Sequence, residues 1–186
     1  MQGRRLTGVV GALGMLYLGG CATTTVNFDK LPDGTPVTGQ SMPVLQGGSI
    51  SQPSLIHAQY AGWGLVFSSG GPAVFAASFP PHDAPSAPNA ACPTTPAGTA
   101  SYSDTTSITV NPSHICNAWV TITNTSGPTT MKVFDVSGNL LGTTSSHGSA
   151  PGRPGVAERL HINACDISKI ELSGTNYCFD DVSIRQ

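Results

Sequence analysis

Charged side chains are scarce in this sequence, making up 10% of its 186 residues. Glutamate occurs only at Glu158 and Glu171, and the shortage of strong helix formers argues against long helices. No cluster of Lys and Arg is present, which argues against nucleic acid as a partner. The abundant Thr, Ser, Gly and Pro residues instead predict an all-β chain with many turns.

Motifs for catalysis are also missing. The sequence has no G-x-S-x-G elbow, and its five histidines are scattered, mostly in predicted loops. A glycosidase needs two carboxylates across a cleft, and the two glutamates, both near predicted late strands, do not supply such a pair. We therefore expect a protein that binds a partner and is not an enzyme.

The N-terminus carries the most specific motif. Arg4 and Arg5 precede a short, mostly apolar stretch at 6–18, which fits a secretory signal better than a membrane span. The stretch ends in "LGGC", which resembles the lipobox of bacterial lipoproteins. This resemblance implies a signal peptide at 1–20 and lipidation of Cys21. The alternative is an ordinary signal peptide followed by a coincidental cysteine.

The same resemblance gives an expected location. Two or more acyl chains hold a protein stably on a lipid bilayer, whereas one holds it only marginally. Because Ala22, and not Asp, follows the cysteine, similarity to Gram-negative lipoproteins favours the outer membrane of the cell envelope. We expect residues 21–25 to form a short tether and the first strand to begin at Val26, so the domain should lie close to the lipid headgroups.

Residues 26–186 are long enough for one domain with its own core. Residues 80–99 contain six prolines in twenty positions and are predicted to form a long irregular loop inside that domain. Turn signals occur at Pro32-Asp33-Gly34 and near Ser137-Gly138-Asn139. About eight short, regularly spaced strands predict an antiparallel β-sandwich of the jelly-roll type.

Four cysteines remain after Cys21: Cys92, Cys116, Cys165 and Cys178. In an exported protein they predict two disulfides, for which three pairings exist. Zinc is the alternative, but no C-x-x-C or H-x-x-H spacing supports it. We favour the pairing 92–116 with 165–178, although a regular ladder would place Cys178 opposite about Glu171.

Four stretches carry a second resemblance: "NFDKLPDGTPV", "GLVFSSGG", "VFDVSGNLLGT" and "ISKIELSGTNYCFDDVSI". Together they resemble bacterial exported jelly-roll modules akin to galactose-binding-like and carbohydrate-binding β-sandwiches. The resemblance covers most of 26–186. It implies a sandwich fold, a glycan as ligand, and a structural calcium ion between an acid of the opening strand and one of the closing strand.

Matched to that pattern, Asp29 and one of Asp180 and Asp181 take the calcium-binding positions. Asp oxygens suit Ca²⁺, and clustered carboxylates repel one another unless a proton or a cation compensates. Strand alternation should send Asp180 and Asp181 to opposite faces, so only one should point at the site. The alternative is that these acids cap a turn, form hydrogen bonds, or pair with Arg185 or Lys30.

Candidate ligand contacts are aromatic. In "CNAWVTIT" the aliphatic residues alternate with polar ones, which predicts that Trp119 and Asn117 lie on an outer sheet face. There Trp119 would stack on a sugar ring beside Asn117; the alternative is a tryptophan covered by the proline-rich loop. Trp63 and Tyr60 are predicted to line a pocket at the loop end, with packing at the edge of the core as the alternative.

Two hypotheses follow for function. The first is an envelope lipoprotein with a non-catalytic glycan-binding domain. The second is a structural or protein-interaction lipoprotein that binds no sugar.

Overall fold

The computed structural model describes residues 22–41, 50, 54–71, 73–78, 85–96, 99, 105–111, 115–123, 127–148 and 157–186. The predicted signal peptide at 1–20 and the predicted lipidation at Cys21 lie outside these residues. Over the described ranges, no helix combines the length and the apolar character needed to cross a membrane.

Thirteen strands and one 3₁₀ turn, Ala61–Trp63, make up the regular structure of the described residues. The strands are β1 Thr23–Val26, β2 Gln40–Ser41, β3 Leu55–Ile56, β4 Leu65–Ser68, β5 Val74–Ser78, β6 Asn89–Cys92, β7 Thr106–Val110, β8 Ile115–Thr123, β9 Thr130–Phe134, β10 Leu140–Ser145, β11 Glu158–Ile167, β12 Lys169–Ser173 and β13 Cys178–Arg185.

The strands form two sheets. The eight-stranded sheet has the order β11-β8-β13-β6-β5-β2, with β1 also paired to β13 and β3 to β5. The five-stranded sheet has the order β10-β9-β12-β7-β4. Strand pairs in the described structure are antiparallel except β2 with β5. From β7 onward the chain crosses repeatedly between the two sheets, as in a jelly roll, so the predicted all-β sandwich is confirmed.

The number of strands differs from the prediction of about eight, because several strands of two to four residues extend the eight-stranded sheet. One of the additional strands, β6, lies inside the predicted proline-rich loop, so that part of the loop prediction is wrong. Its sequence, Asn-Ala-Ala-Cys, contains no β-branched or aromatic residue. It is a strand because it pairs with β5 and contacts β13, which local sequence does not reveal.

The main core lies between the sheets. Four aromatic side chains form its centre, where Phe28 contacts Tyr60, Phe67 and Phe179 edge-on at 5.9, 5.2 and 5.6 Å between ring centroids. A second, smaller cluster has its own members: Phe75, Ala77, Ala90, Cys92 and Cys178, with Ile50 and Leu55 packed against them. Since β5 alternates between the two clusters, this second cluster covers the outer face of the eight-stranded sheet at β5, β6 and the start of β13.

Strand β1 begins at Thr23, three residues earlier than predicted, and pairs with β13 through Thr23 opposite Arg185. Most of the segment expected to be a tether is therefore part of the sheet. A run of three threonines has high β propensity, and the open edge of β13 supplies the partner.

The disulfides join Cys92 to Cys178 and Cys116 to Cys165, with Cα atoms 4.3 and 3.8 Å apart. The predicted pairing of 92 with 116 and 165 with 178 is therefore wrong. Pairing of Phe179 with Ala91 places Cys92 directly opposite Cys178. The two other cysteines lie on the paired strands β8 and β11, near an irregularity in their register. Strand order decides the pairing.

Candidate functional site: an aromatic polar face and a buried aspartate

One half of the outer face of the eight-stranded sheet lies beyond the second hydrophobic cluster. It consists of β11, β8 and the end of β13, and its outward side chains are mostly polar. We call this surface the polar face and define it by six residues: Asn117, Trp119, Arg159, His161, Asn163 and Arg185. Of these, Asn117 and Trp119 are half-buried and the other four are exposed.

Strand register arranges these residues in rows. Trp119 lies opposite His161 on β11, and Asn117 lies opposite both Asn163 on β11 and Arg185 on β13. Arg159 lies opposite Thr121, one row further along. Because i and i+2 residues of a strand share a face, the side chains of the three rows lie on one face of the sheet, with Trp119 in the middle row.

The contacts of Trp119 fix its orientation. Its ring stacks on His161 with centroids 4.7 Å apart and an interplanar angle of 6°, and the Arg159 guanidinium carbon lies 5.6 Å from the indole centroid. His161 Nε2 and Asn117 Oδ1 are 3.1 Å apart and hydrogen-bonded, which holds the imidazole against the indole. The cluster is therefore preorganised, with its remaining surface facing solvent.

The predicted placement of Trp119 and Asn117 on an outer face is confirmed. The alternate residues of β8 all point into the core and are inaccessible to solvent: Ala118, Val120 and Ile122. Sequence reasoning missed Arg159 and His161 as neighbours of Trp119. Their alternation with the buried Leu160 and Ile162 in "ERLHI" was a usable signal for their face, but only the β8–β11 register shows which residues they contact.

Of the two aromatic residues predicted to line a pocket at the loop end, Tyr60 is buried and Trp63 is partly exposed. Tyr60 has no solvent exposure and its hydroxyl donates to the Lys30 carbonyl oxygen at 2.9 Å, so the prediction that Tyr60 contacts a ligand is corrected. Trp63 is 38% exposed and its ring lies 5.8 Å from that of Tyr60. Tyr60 therefore belongs to the centre of the main core, and Trp63 packs beside it at the edge of that core.

The paired aspartates occupy an irregularity of β13. Register shifts between Asp180 and Ser183, and Asp181 has a φ of 46°, in the left-handed region. The bulge places Asp180 in the interior with no solvent exposure and leaves Asp181 half-buried. The two carboxylates therefore differ in burial, as predicted. The cause is the bulge and not the simple alternation of side chains along a strand.

Three donors bind the Asp180 carboxylate. Its Oδ2 accepts from the backbone N–H and the hydroxyl of Ser86 at 3.0 and 2.8 Å, and its Oδ1 accepts from the N–H of Asp181 at 2.8 Å. Burial raises the pKa of Asp180 to about 7, against the hydrogen bonds from Ser86 and Asp181, which lower it. The Asp181 carboxylate also raises this pKa.

Asp29 completes the network around the closing strand. Its Oδ1 accepts from the backbone N–H of Asn89 at 3.0 Å, and the Asn89 side-chain amide donates to the carbonyls of Phe28 and Val37 at 3.2 and 3.1 Å. Burial raises the pKa of Asp29, the Asn89 bond lowers it, and the nearby Asp181 charge raises it. These bonds tie the segment after β1 to the start of β6 at the edge of β13.

The hydrogen-bonding role of Asp29 and Asp180, given above as the alternative to calcium, is therefore what the structure displays. Within the described ranges, no three His, Cys, Asp or Glu side chains are grouped so that they could hold a metal ion. A calcium ion at Asp29 with Asp180 or Asp181 would have to draw other ligands from backbone carbonyls, and it stays a prediction.

Comparisons with known proteins give similarities of fold at low identity. No protein-family profile and no curated protein matches the chain. A solved carbohydrate-binding module, TmCBM61 in complex with β-1,4-galactotriose, is 14% identical with a TM-score of 0.42, over 64% of this chain and 86% of that one. A family 29 carbohydrate-binding module, solved as a mutant of CBM29-2, is 9% identical with a TM-score of 0.39, over 89% and 91%.

An arabinose-bound α-L-arabinofuranosidase, MgGH51, is 12% identical with a TM-score of 0.38. The match covers 87% of this chain and 31% of the enzyme. These likenesses concern the fold alone, and function has to be argued from the side chains of this chain.

Proposed function

We propose that this chain is a lipid-anchored envelope lipoprotein whose β-sandwich binds a glycan, without catalysis, at the polar face. The observation that supports glycan binding is the Trp119–His161 stack on the outer face of the sheet, beside the amides of Asn117 and Asn163. An indole offers apolar area for the C–H surface of a sugar ring, and the side-chain amides offer donors and acceptors to its hydroxyls.

Preorganisation favours binding at this surface. The imidazole covers part of one indole face, so a sugar would pack on the part that remains open to solvent. Because His161 and Arg159 already restrict the ring, less side-chain entropy is lost when a ligand binds. Two residues each from β8 and β11 contribute to the central cluster, and a paired sheet holds them more rigidly than a loop would.

The anchor is the second part of the proposal. The basic start, the apolar stretch and the "LGGC" sequence support lipidation of Cys21 and an outer-membrane location. Since β1 begins at Thr23, only Ala22 would separate the lipidated cysteine from the sheet. An extended residue spans about 3.3 Å, so the domain would lie directly against the bilayer headgroups.

A test of glycan binding uses the full chain in a mild non-ionic detergent, screened on a glycan array and then titrated against a bound glycan. Trp119→Ala should weaken binding by roughly thirtyfold, since truncation of an aromatic anchor costs about 2 kcal/mol. Trp63→Ala is the matched control, because Trp63 lies off the polar face, and it should bind like the parent chain. Unchanged binding by Trp119→Ala, or no glycan bound by the parent chain, would contradict the proposal.

One observation favours the second candidate, a protein-interaction lipoprotein. The hairpin between β9 and β10 exposes Val136 at 85% and Leu140 at 54%. Its tip is rigid, because the Asp135 carboxylate accepts from the N–H groups of Ser137 and Asn139 at 2.8 Å each. Co-purification of an envelope protein that is lost in a Val136→Ser, Leu140→Ser double variant, with no sugar bound, would favour this candidate.

A further inference from the structure

The polar face carries positive charge although the whole chain does not. The chain has 8 Lys and Arg against 10 Asp and Glu. Yet Arg159 and Arg185 both lie on the polar face, both are exposed, and neither forms an ion pair with another residue that the structure describes. On the five-stranded sheet, by contrast, Lys169 has an acidic neighbour, since its Nζ lies 3.4 Å from Glu171 Oε2.

Exposed carboxylates are missing from the register positions that form this surface. The acid of the adjoining row is Asp180, opposite Thr121, and it is buried beneath Ser86 with no solvent exposure. Glu158, the first residue of β11, directly precedes Arg159, so its side chain is on the opposite face of the strand. Its carboxylate accepts a hydrogen bond from the backbone N–H of His147 at 2.8 Å. Asp166 lies beyond the register shift that follows Asn163.

The two arginines flank the indole on a diagonal. Arg159 is one row beyond Trp119 on the β11 side, and Arg185 is one row before it on the β13 side. From strand spacing and rise, their Cα atoms are roughly 15 Å apart. A guanidinium is permanently charged and its planar fork matches a carboxylate, so the pair suits a ligand that presents anionic groups at more than one point.

Building on the proposed glycan binding, we infer that the polar face selects acidic polysaccharides, with uronate carboxylates bound by Arg159 and Arg185 while a sugar ring packs on Trp119. The guanidinium of Arg159 lies against the same indole that would receive the ring. One sugar unit can therefore contact the aromatic surface and place its exocyclic carboxylate at the adjacent charge. Arg185, beside Asn117, binds a carboxylate further along the polymer.

The test compares two acidic polysaccharides, polygalacturonate and alginate, with the neutral methyl ester of each. The full chain in non-ionic detergent is titrated with all four. The acids should bind at least about tenfold more tightly than the esters, with an advantage that shrinks as salt is added. Arg159→Gln and Arg185→Gln should each remove most of that advantage. Lys132→Gln, the same loss of charge on the five-stranded sheet, should leave it unchanged.

The outcomes separate this inference from the proposed function. If acids and esters bind equally and Trp119→Ala abolishes both, glycan binding stands and acidic selectivity is overturned. If the array identifies only neutral glycans and neither acid binds, the inference is again overturned while the proposed function stands. If nothing on the array and none of the four polysaccharides binds, both fail.

Discussion

Replacing Asp180 with asparagine should change how the stability of this protein depends on pH. The Asp180 carboxyl is buried, and its pKa of about 7 lies well above the ordinary value of 3.8 that it should have in the unfolded chain. Between these two values the folded state binds a proton at this group that the unfolded state has lost. The free energy of unfolding contributed by this group must therefore fall as pH rises.

The size of the effect follows from the two pKa values. Each pH unit between them is worth about 1.36 kcal/mol. From about pH 5 to about pH 8 the folded protein should lose about 2.5 kcal/mol through Asp180 alone, with nearly all of the loss complete once the pH passes the folded pKa. Burial also raises the pKa of Asp29, so its contribution has the same sign.

Urea unfolding of the full chain, followed by tryptophan fluorescence across this pH range, measures the effect. Asp180→Asn keeps the shape of the side chain but cannot ionise, so its stability should vary less with pH by about 2–3 kcal/mol over that range. It should also be less stable at low pH, because the asparagine Nδ2 cannot accept a hydrogen bond from Ser86.

Asp33→Asn is the control. Asp33 is exposed in a turn, and the hydrogen bonds from Thr35 hold its pKa below 3.8. The stabilisation that Asp33 contributes is therefore lost only as the pH falls below 3.8 and through the pKa of the folded state. This control should reproduce the parent slope between about pH 5 and about pH 8. An Asp180→Asn slope equal to that of the parent chain, or parent stability that rises with pH over this range, would refute the reasoning.

Three further predictions concern packing, cross-links and metal. Gly39→Ala should destabilise by about 1–3 kcal/mol in urea unfolding, because the new methyl would overlap Asn89 Oδ1, whereas Gly62→Ala meets open space and should be nearly neutral. Replacing both cysteines of the β6–β13 disulfide with alanine should lower the free energy of unfolding by about 4.6 kcal/mol, because the bridge spans a sequence separation of 86. Peptide mapping of the parent chain should recover this bridge and not 92–116. If Ca²⁺ binds at the predicted site, its addition after EGTA should stabilise the fold by about 2.7 kcal/mol at a hundredfold excess over Kd, and the melting temperature should rise. Asp29→Asn should abolish this rise. No shift in melting temperature, with no ion retained by metal analysis, would rule the site out.

Local patterns were sufficient for the class of fold and for the orientation of several strands. Alternation in β8 placed Trp119 and Asn117 outside and the aliphatic residues inside, because side chains of a strand alternate whatever its partner is. The turns at Gly34 and Gly138 were also predicted from residue type, and both glycines have positive φ, of 86° and 83°. These features depend on a few neighbouring residues and on the composition of the whole chain.

Partners across strands could not be predicted in this way. The disulfide pairing, strand β6, the burial of Tyr60 and the bulge that buries Asp180 each depend on which strands lie side by side and in which register. The same holds for the contacts of Arg159 and His161 with Trp119. Strand order is fixed by long-range packing of the two sheets, and many orders share one alternation pattern. The sequence by itself therefore determined that there would be an aromatic outer face, and the tertiary structure alone decided which charges surround it.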